Sequence, residues 1–471
     1  MPAILSNTYH LISLGCAKNT VDSHSMAQLL DQEGFTAIEE ADRAEILLVN
    51  TCGFIEPARQ ESIRTLRDLA KHKRKGQWLI AAGCLTQRYG EEVARQVPGL
   101  DGILGTRRWM EIVQLVRHLR QDQSPTALSR QGVAALYAST SSVPAEPPNV
   151  LRAAVQGGSA YLKIADGCRR PCAFCAIPLI KGTAISRPLP LLVAEARRLA
   201  QQGIKELVLI AQDTTDYGSD LGMKDGLAQL LEAITTQVPQ IPWIRLLYAY
   251  PGAVSERLIE IMATRPQVLP YLDMPLQHAH PAVLRAMRRP ANIDWVYRTI
   301  EKMRRQIPGL TLRTTFIVGY PGEGEVEFQT LFDFVQEMRF DHVGVFPFSF
   351  ERGTASEALG DPIPAEVKQA RWERLMAAQQ QVSLQIHQSL IGKRLDVLIE
   401  GQGLAQEENG NHSEQQISIG RTYRDAPEID GLTLIEGDAP LGEIVPVRIL
   451  GALPYDLHGI LENPPLRNHN V

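Results

Sequence analysis

Three cysteines, Cys168, Cys172 and Cys175, sit at spacing C-x3-C-x2-C in the run Lys163-Ile-Ala-Asp-Gly-Cys168-Arg-Arg-Pro-Cys172-Ala-Phe-Cys175-Ala-Ile-Pro178. No histidine falls between His118 and His278, so a local ligand set is sulfur only. Structural zinc asks for four protein ligands, with cysteines usually in C-x2-C pairs answered by a second pair. That second pair is missing here. A 4Fe-4S cluster held by three thiolates leaves one iron open, which suits an organic ligand that is to be bound and reduced. Ordinary buried thiols are the bland alternative, but Arg169, Arg170 and Pro171 make this loop polar and irregular. Three neighbouring cysteines also leave an odd thiol for any disulfide scheme, and nothing marks the chain as secreted.

A second set of thiols is dispersed: Cys16, Cys52 and Cys84. Spacing alone is a weak signal, but each follows a strand-like run: His10–Gly15, Glu45–Asn50 and Trp78–Gly83. Gly34–Ile38 reads as a further strand, and helical stretches near 20–33, 57–75 and 86–96 fill the gaps, so βαβ logic predicts a parallel sheet. In flavodoxin-like order 2-1-3-4 the three cysteine-bearing strands are neighbours, and ligands bind beyond their carboxyl ends. The thiols then converge on a second three-thiolate site; unrelated core cysteines are the alternative.

The 471 residues suffice for two to four domains, and 44% hydrophobic with 21% charged residues is a globular composition. No apolar run reaches the roughly 18 residues of a membrane span, and no basic region precedes an apolar segment at the N-terminus. The expectation is a cytoplasmic protein, where thiols stay reduced. A net charge of -5 does not advertise nucleic-acid binding over the whole surface.

The expected division is a domain over 1–120 with three cluster cysteines, a Ser/Pro/Ala/Gly-rich linker over 121–153, a domain over 154–390, a strand-rich module over 391–455 and a tail over 456–471. In the third segment, strands are expected at Tyr161–Ala165, Glu206–Gln212, Trp243–Tyr250, Tyr271–Pro275, Leu312–Val318 and His342–Phe348, with amphipathic helices between. Six repeats are too few for eight-fold closure, so a partial (βα)6 barrel follows, with its chemistry at the strands' carboxyl ends. Gln212 and Asp213 follow the second strand and could receive the ammonium of a bound amino acid. Gln277 and His278 follow the fourth, and Val318-Gly319 ends the fifth, where Gly319 and Gly322 allow close backbone approach to an adenine or ribose. His278 reads as a capping or structural histidine, since no second ligand stands at metal spacing.

The last segment predicts a small antiparallel barrel. From Leu390 to Val471 it carries six basic and thirteen acidic residues, a surplus of seven negative charges. Phosphate backbones would repel it, whereas a basic protein would be attracted; solubility alone is the competing explanation.

With both triads in view, Ser13-Leu-Gly-Cys16-Ala-Lys-Asn19, Asn50-Thr-Cys52-Gly-Phe-Ile55, Gly83-Cys84-Leu85 and Asp166-Gly-Cys168 through Pro178 resemble the methylthiotransferase family of radical S-adenosylmethionine (SAM) enzymes over almost the full length. Ala17 stands where relatives often carry proline, and touches no ligand position. The resemblance implies an α/β multidomain protein: a flavodoxin-like parallel-sheet domain, a radical SAM partial barrel and a C-terminal TRAM barrel. It implies two 4Fe-4S clusters, on Cys16, Cys52, Cys84 and on Cys168, Cys172, Cys175, the latter triad catalytic. SAM would serve as methyl donor and radical source, contacted by Gln212, Asp213, Gln277, Val318 and Gly319. Ala211–Thr215 with Tyr217-Gly218, Pro275–His278 and Arg424–Gly431 are similar to the branch that adds a methylthio group to the β-carbon of an aspartate in small-subunit ribosomal protein twelve. Partners implied are that protein or the small ribosomal subunit, a reductant such as flavodoxin or ferredoxin, and a sulfur source. A transfer RNA methylthiotransferase is the nearest alternative, and a non-catalytic iron-sulfur module associated with ribosomes is one of another class.

Overall fold

The computed structural model describes residues 3–121, 134–136, 146–147, 149–406 and 414–462. Most of the expected linker, including Ser139–Ser142, and the last nine residues lie outside these. The chain divides into two compact units: 1–154 with 161–185 and 349–358, and 155–160 with 186–348 and 359–471. The loop of Cys168, Cys172 and Cys175 therefore belongs to the same unit as Cys16, Cys52 and Cys84.

In the first unit β1 (Leu5–Ser13), β2 (Thr36–Ala37), β3 (Ala44–Thr51), β4 (Trp78–Gly83), β5 (Gly102–Gly105) and β6 (Ala134–Leu136) form a parallel sheet ordered β2-β1-β3-β4-β5-β6. The crossovers include α1 (Ala17–Gln32), α2 (Glu56–His72) and α3 (Cys84–Gln96), followed after β5 by α4 (Ile112–Gln121). Strand side chains alternate between faces. Ile46 and Leu48 accordingly pack with Met26, Leu30 and Leu115, while Leu47 and Val49 pack with Ile63, Leu66 and Val93. Each buried leucine or valine of this kind contributes about 1.5–3 kcal/mol relative to exposure. The expected strand at Gly34–Ile38 shrinks to the two residues of β2, which occupy the sheet edge.

The second unit holds five consecutive parallel strands, β7 (Glu206–Ile210), β8 (Trp243–Leu246), β9 (Val268–Asp273), β10 (Thr311–Val318) and β11 (His342–Pro347), each paired with the next. The strand expected at Tyr161–Ala165 is Ser159–Lys163, of which Ser159 and Ala160 belong to the second unit and the rest to the first. The strand expected to reach Tyr250 stops at Leu246, because Tyr248 takes φ of 64°, a left-handed conformation that breaks extended pairing.

After the long helix Ala365–Gln388, strands β12 (Arg394–Gln406), β13 (Glu414–Thr422), β14 (Thr433–Glu436), β15 (Ile444–Ala452) and β16 (Leu457–Leu461) close a barrel in the order β12-β13-β14-β16-β15. Two expectations are corrected here. The barrel is not wholly antiparallel, since β14 and β16 pair in parallel. The module does not end at 455: Leu457–Leu461, expected in the tail, bonds to both β14 and β15 and closes the ring.

Candidate metal centre

Cys16 caps α1 with extended backbone, Cys52 directly follows β3, and Cys84 opens α3 directly after β4. Since β1, β3 and β4 are adjacent, the sheet brings all three to one end. Each thiol has a glycine neighbour that lets the three turns close together. A Cβ at Gly15 (φ 93°) would lie 2.8 Å from Cys52 Cβ; at Gly53, 2.5 Å from Leu85 Cα; at Gly83 (φ 105°), 2.5 Å from the Thr51 carbonyl oxygen. Only glycine fits such approaches and the two positive φ angles.

Two asparagines stitch the turns. Asn19 Nδ2 donates to the Leu14 carbonyl at 2.6 Å and to the Asn50 carbonyl at 3.2 Å, and Asn50 Nδ2 donates to the Asn19 carbonyl at 2.9 Å. Ser62 exchanges two bonds with the Cys52 backbone, accepting from its N–H and donating to its carbonyl, both at 3.0 Å. The Oδ1 atoms of Asn19 and Asn50 are buried with no hydrogen-bond partner among the described residues. Burial pushes the Cys52 thiol up, and pushes Cys84 up to about 12 despite an opposing pull from Lys181. A metal bound by Cys52 and Cys84 would have to displace their protons.

The other triad is local. Gly167 (φ 75°) places its backbone so that a Cβ would lie 2.0 Å from the Thr183 carbonyl oxygen, and Cys168 N–H donates to the Gly182 carbonyl at 3.0 Å. Cys175 N–H closes a turn onto the Cys172 carbonyl at 3.2 Å. Two amides face sulfur: Arg170 N–H at 3.4 Å from Cys168 Sγ and Ile177 N–H at 3.5 Å from Cys175 Sγ. Amide hydrogen bonds to sulfur are one of the levers that set the properties of thiolate-held clusters. After the loop comes the short helix α5 (Ile177–Lys181).

Among the described residues, no group of three or more His, Cys, Asp or Glu side chains is set to hold a single metal ion. A cluster spreads its thiolates over separate irons, so its ligands stand farther apart than those of one ion. Both triads fit such a cluster in donor chemistry: sulfur only, glycine-cleared turns, and amides aimed at sulfur in the second.

Sequence reasoning missed a buried ionic network in the same unit. Asp22, on α1, accepts from Arg152 Nη2 at 2.7 Å, Lys163 Nζ at 2.7 Å and Lys181 Nζ at 2.8 Å. Lys163 also meets Asp166 at 2.7 Å, and Lys181 donates to Thr106 Oγ1 at 2.6 Å. The Arg152 guanidinium lies 4.1 Å from the centre of the Trp109 ring. Burial alone would raise the Asp22 pKa, but the three cations outweigh it and hold the carboxyl well below the usual range. The one hint in the sequence was Lys163, a lysine closing an otherwise apolar strand.

In the second unit Asp213 is buried and accepts from Thr215 Oγ1 at 2.5 Å, and Gln212 is half-buried beside it. Gln277 has φ of 75° and bridges to β10, its N–H donating to Thr315 and its carbonyl accepting from Ile317, both at 2.8 Å. Val318 is fully buried. The Gly319 N–H donates to Glu323 Oε2 at 3.0 Å, and a Cβ at Gly319 would lie 2.3 Å from Lys368 Cγ. This glycine thus clears space for the long helix, and its amide is already engaged. His278 is buried, 3.3 Å from Glu323, and its Nδ1 accepts from the His280 N–H at 2.9 Å, a structural role.

Family models match three stretches: "Uncharacterized protein family UPF0004" at residues 8–105, the "Radical SAM superfamily" at 162–335 and the "TRAM domain" at 391–461. A protein of Roseiflexus sp. (strain RS-1), named ribosomal protein uS12 methylthiotransferase RimO, is 45% identical over 97% of this chain and 98% of its own. Relatives of that name from Chloroflexus aurantiacus (46% identity, 96% and 99% covered) and Synechocystis sp. (44%, 95% and 96%) match equally fully. In fold, the chain is similar to the radical SAM methyltransferase TsrM from Kitasatospora setae, with TM-score 0.55 at 14% identity over 86% of this chain and 82% of that one. With relatives this similar over nearly its whole length, the chain belongs to the RimO family of ribosomal protein uS12 methylthiotransferases.

Proposed function

We propose that this protein inserts a methylthio group at the β-carbon of an aspartate in ribosomal protein uS12, as a cytoplasmic transferase. The observation that carries this reading is the near-complete coverage of relatives so named, joined to two thiol triads folded into one unit. Cys168, Cys172 and Cys175 would hold one 4Fe-4S cluster, and Cys16, Cys52 and Cys84 a second. With SAM bound, the first cluster supplies one-electron chemistry that reaches an unactivated C–H bond, beyond side-chain acids and bases.

The chain's own part is to hold these groups and their charge. The Arg170 and Ile177 amides stabilise thiolate charge on Cys168 and Cys175. Lys181 favours the thiolate of Cys84 against the penalty of burial. Gln212, Asp213, Gln277, Val318 and Gly319 are proposed SAM contacts, Asp213 through its carboxylate and Gln277 through its side chain, since its backbone is committed to β10. At Gly319 the proposal narrows to the carbonyl, the amide being held by Glu323. A reductant protein such as flavodoxin or ferredoxin and a sulfur source complete the reaction. The acidic surplus of the C-terminal segment favours a basic protein over a nucleic acid as substrate.

Incubating the reduced, cluster-loaded enzyme with SAM and sulfide, and offering it uS12 or transfer RNA, tests the reading by mass. A methylthio increment on the uS12 aspartate is expected. An increment on RNA alone would overturn the substrate assignment, and absence of 5'-deoxyadenosine would point to a non-catalytic module.

A further inference from the structure

Two sets of buried contacts join the cysteine triads, both within the first unit. The first is centred on Asp22. This residue lies on the helix that Cys16 caps, while its partners Lys163 and Lys181 lie five residues before Cys168 and six after Cys175. The two lysines therefore flank the local loop, and one carboxylate holds both, one on each oxygen at 2.7 and 2.8 Å. Arg152 binds the same carboxylate and donates to Ser25 Oγ at 2.9 Å, tying the lead-in segment to α1 as well.

The second set is formed by residues 349–358, which fold into the first unit. Glu351 accepts from Arg88 Nη1 at 2.6 Å, four residues after Cys84 on α3, in an ion pair whose side chains are 6% and 3% exposed. Five residues on, the Ser356 N–H donates to the carbonyl of Ala173 at 2.9 Å, between Cys172 and Cys175. One short segment thus grips the helix of one triad and the loop of the other.

Buried ion pairs are often no better for stability than apolar packing, and their better-attested use is to fix one arrangement among several. We propose that Asp22 and Glu351 are positioning residues that hold the two cysteine triads in one fixed relation, so that a radical formed at the local triad is spent on sulfur insertion rather than on unproductive SAM cleavage. The inference rests on reading the triads as cluster ligands. Neither residue touches a cluster; each acts through lysine, arginine or the intervening segment. Asp22 is the stronger candidate, with three buried cations on one carboxylate.

The test uses the full chain with Asp22→Asn, Glu351→Gln and Asp22→Glu. In reconstituted, reduced enzyme with SAM, sulfide and uS12, 5'-deoxyadenosine and methylthiolated uS12 are counted together with iron per chain. Asp22→Asn and Glu351→Gln should keep iron and SAM cleavage while raising deoxyadenosine per product about tenfold or more, the scale seen when partners that orient ligands are lost. Asp22→Glu should recover part of the coupling. A second readout needs neither cluster nor substrate: the apoprotein is treated with bis-maleimides of graded length and inter-triad cross-links are mapped by mass spectrometry. Wild type should show a narrow length optimum, and the variants a broad one.

Unchanged coupling together with an unchanged length optimum in both variants overturns the proposal. So does parallel loss of iron, cleavage and product, which is mere misfolding; if Asp22→Asn is insoluble, Glu351→Gln decides. A wild type that makes no methylthio product defeats the functional reading instead, and the apoprotein cross-links then judge this one alone.

Discussion

The two triads reach the same ligand chemistry by opposite routes. Cys168, Cys172 and Cys175 sit within one loop, shaped by Gly167, the Cys172–Cys175 turn and amides facing sulfur. Cys16, Cys52 and Cys84 are brought together only because β1, β3 and β4 are neighbours in a parallel sheet and their turns are cleared by glycine. A local triad depends on a few backbone bonds, and a dispersed one depends on a whole domain. The first suits a site whose geometry is set by the loop itself, the second a site that must be presented by a scaffold.

Removing one thiol from each gives the largest expected contrast. Cys168→Ala should lower 5'-deoxyadenosine formation at least about 100-fold, the upper end for disturbed metal sites, whereas Cys52→Ala should retain cleavage and yield no methylthio product. Chromatography of the nucleoside with mass analysis of uS12 reads both. Equal loss of cleavage in the two would erase the contrast.

The second unit offers a control. Glu206 is as buried as Asp22, and its partners Ser159, Arg245 and Arg421, each at 2.7 Å, lie on no cysteine-bearing loop. Glu206→Gln should cost about 3–5 kcal/mol in chemical denaturation, chiefly by leaving buried Arg245 without a carboxylate while Arg421 keeps Glu400, with deoxyadenosine per product unchanged in folded enzyme. Burial would raise the Glu206 pKa, but Arg421 and Arg245 pull it down from 4.5 to about 2. A depressed carboxyl stabilises the fold fully above its unfolded value and loses that contribution as pH falls through its folded value. Wild type should therefore lose stability between pH 4.5 and about 2, and the variant should show a shallower loss there.

Gly83→Ala, with φ of 105° and a Cβ only 2.5 Å from a backbone carbonyl, should cost about 1–3 kcal/mol of strain and empty the dispersed triad selectively. Iron analysis should fall toward half. Gly167→Ala should do the converse at the local loop. The smallest effect is expected at Ser62→Ala, about 1 kcal/mol, through loss of the bonds that hold the Cys52 turn. Unchanged iron retention with an unchanged melting temperature would show the turn to be held by other means.

Much of this was legible in the sequence because strand-end cysteines and βαβ alternation are local signals. The strands before Cys16, Cys52 and Cys84 and the strand-rich tail were readable from periodicity, whereas the neighbour order that gathers the cysteines followed only from supposing the flavodoxin-like order 2-1-3-4. The edge strand was overestimated because Gly34 opens it and only Thr36 and Ala37 find a partner. Strand β5, Gly-Ile-Leu-Gly, was too short to stand out, and β16 was missed because Pro454-Tyr-Asp reads as a terminator. The ionic network was invisible for a deeper reason. α1 buries Lys18, Asn19, Asp22, Ser23 and Ser25 along with its apolar residues, so no amphipathic stripe marks its inner face. Partners for Asp22 arrive from more than a hundred residues away, which no local pattern encodes.

The central claim is that this chain modifies uS12 with sulfur at an aspartate. Mass spectrometry of uS12 from cells with and without the gene, complemented by wild type or by Cys52→Ala, tests it most directly. The account predicts a methylthio increment on one aspartate that vanishes on deletion and returns with wild type alone. An increment that persists without the gene, or returns equally with Cys52→Ala, would contradict it.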